Sequence, residues 1–127
     1  EIARLTKEAV RTMLGLERRH IGINAENEDQ AMKIAERFAL LFGSEVKCGN
    51  NSIFAGKEIE VMKKPYLGTN GHIAIAVNSV ERAVRYLEEH LGFTFDEDTA
   101  KYDDKKNIKA IYLNEEIGGF AIHLMQK

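Results

Sequence analysis

Four side chains of the metal-ligand type lie within short apolar segments of this 127-residue chain: His20, Glu60, His72 and His123. Imidazole nitrogens combined with one carboxylate suit Zn²⁺, Ni²⁺, Co²⁺, Fe²⁺ or Mn²⁺, because neutral histidine supplies a lone pair and glutamate offsets part of the cation charge. Glu60 also has the chemistry of a general base, and is the candidate catalytic residue. The remaining histidine, His90, falls in the last turn of a predicted helix, where a helix-dipole contact explains it.

The segments that carry these residues form an internal repeat. His20-Ile-Gly-Ile resembles His72-Ile-Ala-Ile, 52 residues later. Each is followed by apolar residues at helical spacing, then by a glycine and a closing apolar strand, Ile59–Met62 or Ile122–Met125. The same order of features twice indicates a duplicated unit.

Each unit reads as a strand, a helix and three further strands, which predicts an α+β fold of tandem βαβββ units. Capping-box patterns open the two helices, at Asn27-x-x-Gln30 and Asn78-x-x-Glu81. Apolar spacing predicts a further helix over residues 1–16, followed by a single domain over 17–127 with repeat units at about 19–66 and 71–127. The predicted strands are 19–25, 45–49, 51–56, 58–64, 71–77, 93–100, 107–113 and 118–126, and the helices are 28–42 and 79–91.

Strand parity places the four ligand-type residues on one face of the sheet. Alternate residues of a strand point to opposite faces, and Ile59 and Val61 flank Glu60. The branched apolar residues are expected to pack on the helices. The opposite face then receives His20, Glu60, His72 and His123, which predicts one metal site built from equivalent points of two repeats.

Composition limits the classes of partner. Eighteen Lys and Arg against twenty Asp and Glu give a net charge of −2, with the charges scattered. This pattern argues against a nucleic-acid partner or an anionic membrane surface, which need a basic face, and no apolar run is long enough to span a bilayer. The single Cys48 forms no internal disulfide, which favours a reducing, cytoplasmic location, and we expect it to be a small buried apolar residue.

The arrangement resembles the vicinal-oxygen-chelate superfamily, which includes glyoxalase I, extradiol dioxygenases and methylmalonyl-CoA epimerase. The resemblance rests on His20 with its alternating apolar residues, Ile59-Glu60-Val61, Gly71-His72-Ile73-Ala74 and Ile122-His123-Leu124, and covers about residues 19–127. It implies a curled mixed sheet with the helices on its outer face, around a divalent metal. Bacterial glyoxalase I has glutamate where this chain has His123, and that glutamate is the family's usual candidate base.

A narrower resemblance links Asn51–Gly56, Ile59–Gly68 and Ala110–Leu113 to a domain appended to some bacterial 2-keto-3-deoxy-6-phosphogluconate / 4-hydroxy-2-oxoglutarate aldolases. Because the chain opens within a predicted helix at Glu1, we expect it to be a piece of a longer protein. The resemblance implies a parent chain that is a lyase with an aldolase barrel, whose Schiff-base lysine lies in the barrel. The small-molecule partner is then a 2-oxo acid or a phosphorylated sugar acid.

Two readings of the function stay open. One is a metal-dependent lyase, isomerase or epimerase acting on a small oxo acid. The other is a non-catalytic accessory domain that senses a metabolite or holds an oligomer together. Dioxygenase chemistry is weaker, because three histidines and a glutamate fill positions that a facial triad leaves open. The short connector between the units favours a homodimer, swapped or unswapped.

Overall fold

The computed structural model describes residues 2–127; Glu1, the first residue of the predicted N-terminal helix, lies outside the described residues. The predicted α+β fold class is confirmed, with an N-terminal helix followed by two successive βαβββ runs. The elements are α1 (Ile2–Leu14), β1 (Glu17–Asn24), α2 (Glu28–Phe42), β2 (Val46–Cys48), β3 (Ser52–Ala55), β4 (Ile59–Met62), β5 (Gly71–Val77), α3 (Val80–Leu91), β6 (Phe95–Tyr102), β7 (Ile108–Ile117) and β8 (Phe120–Gln126).

The eight strands form one mixed sheet in the order β2-β3-β4-β1-β5-β8-β7-β6. The chain divides into two compact units, described separately below. The central unit comprises Arg19–Ala74 and Glu116–Ala121. The terminal unit comprises the residues up to Arg18, together with Ile75–Glu115 and Ile122–Lys127. The domain boundaries predicted from the sequence stay a prediction.

In the central unit, α2 packs an alanine face on the sheet. The helix begins at an N-cap, Asn27, whose side chain accepts a hydrogen bond from the Gln30 backbone N–H at 2.8 Å, as the capping box predicts. Small side chains let the helix lie close to the strands. The buried core consists of Ala25, Ala31, Ala35, Ala39, Ile53, Ala55, Ile59 and Val61. Because Ile59 and Val61 face this core, the intervening Glu60 points to the other face of the sheet.

In the terminal unit, α3 and the end of α1 share a second core. Its buried residues are Leu14, Val77, Val80, Ala83, Phe95, Ile111 and Leu124. The N-cap of α3 is Ser79, which accepts from the Arg82 N–H at 3.3 Å, so the prediction of a cap at Asn78 was wrong. Asn78 is engaged with α1 instead: its side chain donates to the Met13 carbonyl at 3.0 Å. The Asn78 side chain thus forms a tertiary hydrogen bond with Met13 instead of the local capping hydrogen bond that the sequence predicts.

The charged stretch 96–107 forms most of β6 and the turn that leads into β7. Both strands run past the predicted bounds, and the register of their antiparallel pairing shifts between Asp96 and Lys101, as at a β-bulge. Cys48 is exposed on the edge strand β2, so the expectation of a buried cysteine was wrong. No helix within residues 2–127 combines the length and the apolar character needed to cross a membrane.

Candidate metal centre

Three of the four predicted ligands meet in the central unit. The Nε2 atom of His20 lies 3.0 Å from Oε2 of Glu60, and the Nε2 atom of His72 lies 3.1 Å from the same oxygen. The two Nε2 atoms are 3.2 Å apart. Two imidazole nitrogens and one carboxylate oxygen therefore form a nearly equilateral triangle.

Strand pairing sets this triangle. Strands β1 and β4 are parallel neighbours, with Gly22 opposite Glu60. His20 therefore lies two residues before the position that pairs with Glu60, on the same face. His72 enters from β5, the neighbour of β1 on its other side. The three ligands thus come from three strands, with a separation of 52 residues between the two histidines.

The absence of a side chain at Gly22 leaves room for the His72 ring. A Cβ atom at position 22 would lie 2.0 Å from Cε1 of His72, and another at position 71 would lie 1.9 Å from the Gly22 carbonyl oxygen. Real Cβ contacts of this length do not occur, so no other residue type fits at either position without a shift of the backbone or of the ring. Glycine at positions 22 and 71 lets β1 and β5 lie close to each other. It also lets the His72 imidazole on β5 pack directly over Gly22 on β1.

Hydrogen bonding keeps Glu60 ionised in spite of its burial. The exposed fractions of the side chains are 4% for His72, 11% for His20 and 16% for Glu60. Burial alone raises the pKa of Glu60, but hydrogen bonds from His20, His72 and Ser52 outweigh it, and the pKa is held well below its usual range. Such a group is ionised at neutral pH, which suits a metal ligand better than a proton acceptor.

The triangle has the dimensions that a first-row divalent ion requires. Metal–nitrogen distances of about 2.0–2.1 Å and metal–oxygen distances of about 2.0–2.2 Å separate neighbouring donors by about 2.9 Å at right angles and about 3.4 Å at the tetrahedral angle. The three measured separations, 3.0, 3.1 and 3.2 Å, lie between these limits. Two imidazoles and one carboxylate are also the donor set that Zn²⁺, Fe²⁺, Co²⁺, Ni²⁺ and Mn²⁺ accept. The residues therefore fit a divalent ion.

Metal binding is expected to weaken at low pH. A metal ion requires both Nε2 atoms unprotonated, because a protonated imidazole nitrogen has no lone pair to donate. We expect the apparent Zn²⁺ affinity, measured by competition with a chelator, to fall as protons compete with the ion. A Zn²⁺ affinity that does not change with pH would contradict ligation by the two histidines.

His123, the fourth predicted ligand, lies on β8 in the terminal unit. Its ring stacks on Tyr112, with the ring centroids 4.5 Å apart and the planes 7° from parallel. Among residues 2–127, the group of adjacent metal-ligand atoms contains His20, Glu60 and His72. A role for His123 as a ligand stays a prediction. His90 lies in the last turn of α3, where the sequence placed it, and its ring contacts Tyr86.

Ser52 is a residue of the site that was not predicted from the sequence. Its hydroxyl donates to Oε1 of Glu60 at 2.7 Å. Ser52 pairs with Met62, and Phe54 pairs with Glu60, in the antiparallel ladder of β3 and β4. Alternation therefore puts Ser52 on the same face as Glu60, diagonally across the ladder. The alternation of residues along β3 indicates the face on which Ser52 lies, but its contact with Glu60 can be predicted only when the register of β3 against β4 is known.

Comparison with known proteins is in keeping with this architecture. Residues 69–127, less than half of the chain, match the family described as the Glyoxalase/Bleomycin resistance protein/Dioxygenase superfamily. No curated protein matches the chain by sequence. The comparisons therefore give no support to the predicted aldolase-linked parent.

Three solved structures are similar in fold. A hypothetical protein from Bacillus halodurans is 15% identical, with a TM-score of 0.58, over 88% of this chain and 94% of its own. A methylmalonyl-CoA epimerase is 15% identical, with a TM-score of 0.56, over 86% and 93%. The methylmalonyl-CoA epimerase of Mycobacterium tuberculosis is 15% identical, with a TM-score of 0.54, over 90% and 89%. At this identity the likeness shows the fold alone.

The comparisons establish the type of fold. The chain has a glyoxalase-like α+β fold, and its residues 69–127 match the model of that superfamily. It carries a His–His–Glu cluster with the donor types and spacing of a divalent-metal site.

Proposed function

We propose that this chain binds a divalent metal ion and, through it, a small 2-oxo acid or related metabolite. The observation that carries the proposal is the triangle formed by Nε2 of His20, Nε2 of His72 and Oε2 of Glu60. Three donors on one side of an ion leave positions for two oxygens of a ligand. A 2-oxo acid offers a carboxylate and a keto oxygen in that relation.

The charges of the described residues favour an anionic ligand. His20 and His72 bind as neutral imidazoles, and Glu60 supplies one negative charge, so a divalent centre keeps a net charge of +1. The low exposure of the three side chains keeps water away and strengthens that field. When bound, the ion supplies Lewis-acid polarisation of the keto oxygen, which stabilises an enolate. Zn²⁺, Ni²⁺, Co²⁺, Fe²⁺ and Mn²⁺ remain the candidates.

Calorimetry with matched acids tests the ligand class. We expect pyruvate to bind the metal-loaded protein and to lose that binding when the metal is removed by chelation. Propanoate, which has the carboxylate but no adjacent keto oxygen, is the control and is expected to bind far more weakly. Equal binding of the two acids, or binding of pyruvate to the chelated protein, would contradict chelation through two oxygens.

His123 belongs to the proposal as a fourth ligand. The stacking of its ring on Tyr112 restrains its orientation, which lowers the entropy lost on coordination. We expect His123→Ala to weaken metal affinity, whereas His90→Ala, on α3, leaves it unchanged. If His123→Ala binds metal like the wild type, the centre has the three ligands of the cluster alone.

A stand-alone isomerase or lyase of the glyoxalase type is the second candidate. The donor set of the cluster supports it, because a divalent ion that polarises a carbonyl oxygen eases removal of the neighbouring proton. Glu60 then acts as the general base after the substrate displaces it from the metal. Exchange of the methyl protons of pyruvate in D₂O, followed by NMR, separates the two candidates: metal-dependent exchange indicates a catalyst, and binding without exchange indicates an accessory domain.

The wider setting is proposed on the sequence alone. It comprises a homodimer, a reducing cytoplasmic location and an aldolase barrel in the same full-length chain, with a phosphorylated sugar acid as a further ligand. Light scattering at micromolar concentration tests the dimer. A monomer would remove any arrangement in which two chains share a site.

A further inference from the structure

Ser52 holds one of the two oxygens of the Glu60 carboxylate. Its hydroxyl lies 2.7 Å from Oε1, while Oε2 lies 3.0 Å from the His20 nitrogen and 3.1 Å from the His72 nitrogen. The two oxygens therefore have separate partners. A serine hydroxyl has one proton to donate, and here it is committed to Oε1.

The backbone around Ser52 fixes that hydroxyl in place. The Ser52 carbonyl accepts a hydrogen bond from the Gly49 N–H at 2.8 Å, and the Asn51 carbonyl accepts one from the Lys63 N–H at 3.0 Å. Ser52 itself is 8% exposed and pairs with Met62 in the β3–β4 ladder. The position of the Ser52 hydroxyl is therefore fixed by β3 and the turn before it, independently of a bound metal.

We propose that Ser52 is a positioning residue that keeps Glu60 a one-oxygen metal ligand and so leaves a coordination position open for the substrate. The inference rests on the proposed metal site. A carboxylate that tilts until its Cγ–Cδ axis points at an ion can bind that ion through both oxygens, which uses one more position on the metal. The hydrogen bond to Oε1 opposes that motion, because two-oxygen binding draws Oε1 away from the Ser52 hydroxyl.

A pair of serine variants tests the inference. Ser52→Ala removes the donor, whereas Ser44→Ala is the matched control, because the buried Ser44 hydroxyl forms no hydrogen bond within residues 2–127. Ser52→Thr keeps a hydroxyl at the same place. Zn²⁺ affinity is measured by competition with a chelator. The infrared difference spectrum of loaded minus metal-free protein then gives the separation between the two carboxylate stretches, which is wide for one-oxygen and narrow for two-oxygen binding.

We expect Ser52→Ala to lose about 10–100-fold in Zn²⁺ affinity, the usual effect of removing a partner of a ligand, and to show a narrower carboxylate separation. Ser44→Ala and Ser52→Thr are expected to match the wild type in both. Wild-type affinity or an unchanged separation in Ser52→Ala would overturn the inference. If circular dichroism shows Ser52→Ala to be unfolded, the wild-type spectrum decides: a narrow separation there overturns it, and a wide one supports it. Failure of the wild type to bind Zn²⁺ would instead overturn the proposed function.

Discussion

We expect the His72→Ala variant to carry no divalent ion above background, whereas the wild type carries about one per chain by mass spectrometry. His72 supplies one corner of the donor triangle, and its loss leaves His20 and Glu60 with a single contact of 3.0 Å between them. Two donors hold a first-row ion far more weakly than three. The variant is therefore also expected to lose the metal-dependent binding of a 2-oxo acid.

His90→Ala is the control for this experiment, because it removes the same ring from the exposed end of α3. We expect it to keep the metal content of the wild type. Circular dichroism of both variants establishes that the fold is present. A folded His72→Ala protein with a full complement of metal would refute the assignment of the ligand.

The second large effect is expected from Gly22→Ala, a change of one methyl group at a residue that is not itself a metal ligand. The new Cβ atom would lie 2.0 Å from the His72 ring, so the ring or the strand has to move. Overpacking of this kind typically costs about 1–3 kcal/mol of stability. Removal of a hydrogen-bond partner of a ligand typically lowers metal affinity about 10–100-fold. Gly22→Ala is expected to lower it further, because the substitution displaces the ligand His72 itself.

Gly92→Ala separates crowding of a ligand from the general cost of replacing a glycine. Gly92 ends α3 with a left-handed backbone, so alanine costs stability there, but its Cβ atom would meet nothing within 4 Å. Gly92→Ala is therefore expected to keep its metal. If Gly22→Ala binds metal as tightly as Gly92→Ala does, the His72 ring does not depend on the space at Gly22.

The three residues of the cluster could be predicted from the sequence, because the alternation of residues along each strand and the internal repeat place them on the same face. Alternation puts His20, Glu60 and His72 on the face opposite the branched residues, and Ile59 and Val61 are buried in the core as that argument requires. Ile21 follows His20 on β1 and so points to the opposite face, but it is 43% exposed. The local sequence pattern predicts which face of the sheet a side chain points to, whereas the extent of its burial depends on residues that are distant in the sequence.

Features that depend on register or on tertiary contacts could not be predicted from the pattern. Ser52 contacts Glu60 because β3 and β4 pair in one particular register, and nothing local to residue 52 shows it. The helix cap moved from Asn78 to Ser79 because the end of α1 binds the Asn78 side chain. Cys48 is exposed because β2 is a short edge strand, although its residue type is usually buried.

The distance along the chain between the ligands ties metal binding to the folding of the central unit. His20 and His72 are 52 residues apart, and Glu60 precedes His72 by 12, so no short segment of the chain contains the triangle. An unfolded chain has no preformed site, and the affinity for metal is available only to molecules in which β1, β4 and β5 are assembled. At a free metal concentration of 100 times the dissociation constant, this linkage adds about 2.7 kcal/mol to the free energy of unfolding. The cell's supply of metal would then govern how long the protein lasts as well as what it binds.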